Sequence, residues 1–443
     1  MLELQKRLLP RHIRLMAIGG AIGTGIFKGT SETVSIAGPA VIFSYLFAGL
    51  LLLVVMSAIA EMAIAYPGIN MKGFIRLAFG AKVSFVIGWL YCFMWLTVCV
   101  IEVIAAGSFL QYWFPSMSLW SLSFISAIFI VAINFMNVKK YGEFEFWFAG
   151  IKITMIVLFI VLGGCILFGI IPSSETHYLQ NYVQHKGFFP HGWSGVFSAL
   201  LIVIFSYGGS ELIGLTLTET KDAEKVLPKV IKGVIWRIVL FYTVPIVIIC
   251  GLIPWDEIGN QASPFVQVLS AVGFPGSAHI MNFVLITAVL SAANSGIYGC
   301  TRMLYSLAAE GEAPKQFSYV SKNGVPLFSV ILSAVVLICG TFVAYFSPDR
   351  VFGYLMAIPG FTVSVVWIAI CLAQLKLRKT YNKLPHFHVW GFPYATSLTA
   401  VALIISCVAF AFSEENRLSI FVCIGILLIL VLFSVLIDNK NKK

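Results

Sequence analysis

Among the ionisable side chains inside long apolar stretches of this 443-residue sequence, four are of interest: Glu61, Glu102, Lys152 and Glu211. Each costs roughly 2.5–3.5 kcal/mol at a helix centre in hydrocarbon on insertion scales, so such residues read as functional by default. Two glycine-rich interruptions accompany them. Gly19-Gly20-Ala21-Ile22-Gly23-Thr24-Gly25 breaks the first apolar run, and Ser206-Tyr207-Gly208-Gly209-Ser210, followed at once by Glu211, breaks the sixth. Unwinding a helix there leaves N–H and C=O groups without partners in a medium that supplies no water. A helix restarting at Gly23-Thr24-Gly25 offers donors and a positive dipole end to a carboxylate, while loose carbonyls suit an ammonium. A zwitterionic amino acid carries both groups.

Each feature also has a packing reading. Gly19 and Gly23 form a GxxxG pair of the kind that brings helices close; a second break five runs later, with acidic residues beside it, tips the balance toward a transporter's binding site near the bilayer midplane. Phe205, just before the second break, is placed to cap a substrate or to pack in the core. Lys152 lies about 9 Å inside the fifth run; it either snorkels to the interface or is a desolvated ammonium that gives up and regains a proton. Glu61 closes a run at the inner face and reads as half of a structural ion pair. His386 and His388 have no Cys or acid beside them, so no metal site is expected. With no P-loop, Gly-x-Ser-x-Gly or HExxH motif, neither ATP-driven pumping nor catalysis is indicated, and no cofactor.

The elements that must position these residues follow from composition. Apolar residues make up 59% of the chain and charged residues 11%, against roughly 45–50% and 25% in soluble domains. The apolar residues fall in twelve runs, at about 13–36, 41–66, 83–109, 119–136, 146–171, 194–217, 230–253, 279–307, 327–346, 352–375, 393–412 and 418–437, each matching the length a bilayer demands. An even number puts both termini on one side. Of 29 basic residues only Lys28, Lys186, Arg350 and Arg417 fall on the other side, so both ends are expected in the cytoplasm. That distribution also accounts for the net charge of +10 without nucleic acid as partner. All nine cysteines lie inside runs, arguing for packing rather than a disulfide framework. The first run reads as a mature helix rather than a cleaved signal.

Several motifs resemble those of the amino-acid permeases of the amino acid–polyamine–organocation superfamily, within its amino acid transporter family. They are Arg11-His12-Ile13 with Gly19 to Phe27; Tyr141-Gly142-Glu143-Phe144-Glu145-Phe146-Trp147-Phe148-Ala149 through Lys152; Glu219-Thr220-Lys221-Asp222 through Pro228; and Ala293-Asn294-Ser295-Gly296 through Arg302-Met303-Leu304-Tyr305. The resemblance implies an all-α integral membrane protein with a LeuT-like five-plus-five inverted repeat and two C-terminal helices. The expected divisions are a cytoplasmic segment 1–11, repeats at 12–171 and 193–376, helices within 392–437 and a tail at 438–443. It further implies a substrate carboxylate on the Ile22, Gly23, Thr24 and Gly25 backbone and the Thr24 hydroxyl, and an amino group at the Phe205, Ser206, Tyr207 and Gly208 region, with Glu102 and Glu211 nearby. Glu102 and Lys152 match family acidic and basic positions, implying a proton as coupling ion. Two departures stand out: Pro67-Gly68-Ile69-Asn70-Met71-Lys72 replaces a small-residue segment, and Lys28 replaces a small or apolar residue.

The resulting expectation is a plasma-membrane symporter that imports neutral amino acids with protons by alternating access. A proton-independent exchanger and a non-transporting solute sensor are the alternatives.

Overall fold

In the computed structural model the described residues are 22–135, 138–171, 178–216, 227–229, 231, 233, 236, 239–259, 263–271, 276–321, 324–346, 351–412 and 417–441. Gly19-Gly20-Ala21, the expected segment 1–11, and Glu219 to Asp222 lie outside them, as do the side chains of Tyr141 to Phe144.

A described helix stands in every apolar run. Among the described residues eight helical stretches are long and apolar enough to cross a membrane, and three shorter ones (Leu119–Asn134, Gly192–Tyr207 and Val239–Leu252) accompany them. The fifth-run helix spans Val138–Leu167, starting ahead of the expected 146 because the polar Tyr141–Glu145 stretch continues the helix. The sixth-run helix stops at Tyr207, inside its expected span.

Burial separates centre from periphery. The third-run helix Ala81–Leu110 and the eighth-run helix Ser277–Ala309 have 78% and 89% of their apolar windows buried, against 22% for the last helix. An all-round apolar helix with such burial is a bundle core, while the exposed Phe421, Leu432 and Leu436 of the last helix suit lipid. The two central helices meet through small residues: a Cβ on Gly296 would lie 2.5 Å from Cys99 Sγ, and one on Gly299 3.3 Å from Trp95 Nε1. Cys99 donates to the Ala293 carbonyl at 3.3 Å and Cys92 to that of Cys300 at 3.9 Å, so both pack against the same helix.

The ends of several long helices are tied by ionic groups. Glu61 accepts from Gln374 Nε2 at 2.9 Å, Arg378 at 3.3 Å and the Val389 amide at 2.7 Å. That is the structural pairing expected from its place at the end of a run. The unusual segment ending in Lys72 leads into a helix, Met71–Phe79, capped by the Asn70 side chain on the Gly73 amide at 2.9 Å. Its Lys72 ammonium, with no exposed side-chain surface, meets Glu310 at 2.8 Å and Glu312 at 2.6 Å just past the eighth-run helix. Arg76 pairs with the same Glu310.

Glu61→Ala strands the Arg378 guanidinium and the Val389 amide in a buried place, a loss on the order of 3 kcal/mol. A lowered thermal unfolding midpoint of the purified protein in detergent is the expected result, and an unchanged midpoint contradicts the structural role.

Candidate functional site

Among the described residues the first-run helix begins at Thr24, preceded by Gly23 in extended backbone (φ −147°, ψ −149°). First-turn amides have no helical acceptor, and here the Thr24 N–H donates to both carboxylate oxygens of Glu102 at 3.0 Å, while its hydroxyl donates to Oε2 at 2.6 Å. Glu102 comes from the second half of the third-run helix Ala81–Leu110 and is buried. The donor pair expected for a carboxylate is thus present and carries one, supplied by the protein itself. Gly23 is obligatory here, since a Cβ would sit 2.5 Å from Glu102 Oε1 and 2.8 Å from Ala292 Cβ.

The second break forms where Gly208 leaves helical backbone (ψ 143°) and Gly209 takes φ +100°, a region that glycine enters without steric cost. Glu211 turns back over it. Its carboxylate accepts the Gly209 amide at 3.2 and 3.1 Å and the Tyr91 hydroxyl at 3.3 Å. Tyr207 donates to the Tyr45 carbonyl at 3.0 Å, tying the sixth run to the second, and Ser206 donates to Ile202 at 3.1 Å. The two breaks touch: a Cβ on Gly25 would lie 2.6 Å from the Ser206 Cα.

Between them lies a cavity of about 20 Å³, walled by Gly23, Gly25, Glu102, Phe205, Ser206 and Gly208, with Trp95, Val98, Pro359 and Val363 as further apolar neighbours. That volume holds about one water, so as it stands the site has no room for an amino acid. Phe205 lines the cavity, whereas Tyr207 and Glu211 are engaged behind it. Lys28, just beyond the first break, reaches Ser108 at 3.4 Å.

Lys152 does not snorkel. It is fully buried, and its ammonium donates to the Ile22 carbonyl at 3.2 Å and to Ser291 Oγ at 2.9 Å. It therefore satisfies a backbone acceptor beside the first break. Ser291 in turn donates to Glu145 Oε1 at 2.6 Å. Sequence reasoning singled out neither Ser291 nor Glu145. Starting the fifth run at 146 put Glu145 outside the membrane, yet its separation of seven from Lys152 places both on one helix face. That spacing was the available signal.

A family model described as amino acid permease matches residues 12–443. The chain is 41% identical to the uncharacterized amino acid permease YvbW of Bacillus subtilis (strain 168) over 403 residues, 90% of each chain. It is 38% identical to the gamma-aminobutyric acid permease of that organism, covering 99% of this chain and 94% of the relative. Similarity to its probable threonine/serine transporter YbxG is 37%, over 100% and 96%.

Gly25→Ala pushes the two breaks apart and is expected to lower uptake by about tenfold or more, a barrier change of roughly 1.4 kcal/mol. Gly164→Ala, whose Cβ meets nothing within 4 Å, is the control that keeps its rate. Equal rates in proteoliposomes for the two variants would remove the close approach from the mechanism.

Proposed function

This chain belongs to the amino acid permease family, and we propose that it is a plasma-membrane symporter importing small neutral amino acids together with protons by alternating access. It is a multi-pass membrane protein of a family that transports amino acids. In our reading twelve spans form a LeuT-like pair of inverted repeats, at 12–171 and 193–376, followed by two helices within 392–437, with both termini cytoplasmic. The substrate-binding set is Ile22, Gly23, Thr24, Gly25, Glu102, Phe205, Ser206, Tyr207, Gly208 and Glu211, and the proton-coupling pair is Lys152 with Glu102.

One observation carries the coupling: the Glu102 carboxylate holds the Thr24 amide and hydroxyl at the mouth of the cavity. A substrate carboxylate needs the same donors. Two anions about 4 Å apart repel by roughly 4 kcal/mol at an effective dielectric of 20. Substrate binding is therefore favoured when Glu102 moves off or takes a proton, which links occupancy to proton uptake. Lys152 supports the same cycle, because its protonated form bridges the Ile22 carbonyl and Ser291 while its neutral form has less hold on them. The apolar walls at Val98, Phe205, Pro359 and Val363 favour an uncharged side chain. Relatives named for gamma-aminobutyric acid and for threonine and serine agree with a small substrate bearing one carboxylate and one amine.

The energetics suffice. One proton moving down about 100 mV supplies roughly 2.3 kcal/mol, which sustains about a fortyfold gradient.

Proteoliposomes given radiolabelled neutral amino acids should accumulate them only under an inward proton gradient. Lys152→Ala should still bind substrate but fail to concentrate it, and unchanged accumulation would sink the role of that ammonium. Counterflow without any gradient dependence would instead favour the exchanger, and binding without flux a sensor.

In Glu102→Gln the neutral amide no longer competes as an anion for Thr24. Substrate affinity should then lose its dependence on pH, which isothermal titration across pH 5–8 measures. A pH profile matching the parent protein would remove Glu102 from the coupling.

A further inference from the structure

The cycle just described needs somewhere for the Lys152 proton to go, and Lys152 has no route to water of its own: it is fully buried beside the first break. What it does have is a chain of two hydrogen bonds that both point one way. Its Nζ donates to Ser291 Oγ at 2.9 Å, and Ser291 Oγ donates to Glu145 Oε1 at 2.6 Å. Glu145 is itself fully buried, and its second oxygen, Oε2, is buried without a hydrogen-bond partner. A buried carboxylate left half satisfied is costly unless it is neutralised or has a task.

We propose that Glu145 is the proton acceptor for Lys152, reached through the Ser291 hydroxyl, and that it passes the coupled proton toward the inner end of the fifth span. The proposal rests on the proton-symport reading above and extends it to a residue that reading does not include. The transfer balances. A Lys152 N–H bond breaks as an O–H bond forms on Ser291, and the original Ser291 O–H bond breaks as one forms on Glu145 Oε1. An ammonium and a carboxylate become an amine and a carboxylic acid, so no net charge is created in the low-dielectric interior, where separating charge is expensive. The serine ends as it began, with one hydroxyl proton.

Geometry gives the direction. Glu145 precedes Lys152 by two helical turns, roughly 10 Å toward the start of the helix. With the termini cytoplasmic, that start is the inner end. The surroundings leave the pair dominant. Of the elements packed on the fifth-run helix, the segment Val239–Leu252 brings Tyr242 and Cys250, and Pro264–Ala271 brings no titratable residue. The eighth-run helix holds His279, Tyr298, Cys300, Arg302 and Tyr305, each roughly 10 Å or more along its axis from Ser291. Glu102 lies across the first break, and it and Glu145 are the two carboxylates in electrostatic contact with Lys152.

The test compares net accumulation with counterflow in proteoliposomes of the full chain. Glu145→Gln keeps the shape and removes the acceptor. Its proton-driven accumulation should fall from about fortyfold toward unity, while counterflow with substrate on both sides, which needs no net proton release, persists. Ser291→Ala should show the same split, and Ser291→Thr, which restores a hydroxyl, should recover accumulation. Should Glu145→Gln not yield folded protein, the Ser291 pair decides alone. Parent-like accumulation in Glu145→Gln, parallel loss of accumulation and counterflow, or a Ser291→Thr variant no better than Ser291→Ala each overturns the relay. If the parent protein itself ignores the proton gradient, the symport reading has failed first; gradient-driven parent protein with unaffected variants sinks the relay alone.

Discussion

A helix that breaks inside hydrocarbon exposes peptide groups that no solvent can satisfy, and three of the buried charges in this protein answer to that constraint. Glu102 takes the Thr24 amide, Glu211 takes the Gly209 amide, and Lys152 gives to the Ile22 carbonyl. Each is an ionisable residue that would be expensive alone. Each becomes tolerable because an orphaned backbone group is more tolerable with it than without it.

In the proposed cycle the same pairing makes the breaks responsive. A backbone amide held by a side-chain carboxylate can be given to another carboxylate, and a carbonyl held by an ammonium can be released when that ammonium loses its proton. Changing the protonation of one side chain then alters what holds the first span against the third, fifth and eighth. The close approach of Gly25 to Ser206 carries the change to the sixth span, since neither side can yield by rotating a side chain. Packed interfaces of this kind switch between discrete arrangements rather than deforming smoothly.

The helix ends are built differently. Lys72 between Glu310 and Glu312, and Glu61 between Gln374, Arg378 and Val389, are clusters joining loops to the ends of long helices. The segment that departs from the expected small-residue pattern is thus compensated: its lysine brings the charge that two acids past the eighth-run helix require.

Much of this was legible in the residues themselves. The lengths of the apolar runs fix where helices can lie, because hydrocarbon thickness and helical rise leave no alternative, and glycine clusters mark where two of them fail. The rarity of charge in those runs singled out Glu61, Glu102, Lys152 and Glu211. Only the tertiary structure decided what each one touches. A sequence gives the register of a side chain on its own helix but not the rotation and depth of that helix against its neighbours. It therefore could not reveal that Glu102 occupies the Thr24 donors, that Glu211 folds back on Gly209 instead of lining the cavity, or that Lys152 turns inward to Ile22 rather than out to the interface. Glu145 escaped for a related reason: hydropathy ended the span one residue short of it. Its burial is conferred by the eighth-run helix, whose Ser291 lies 146 positions away along the chain.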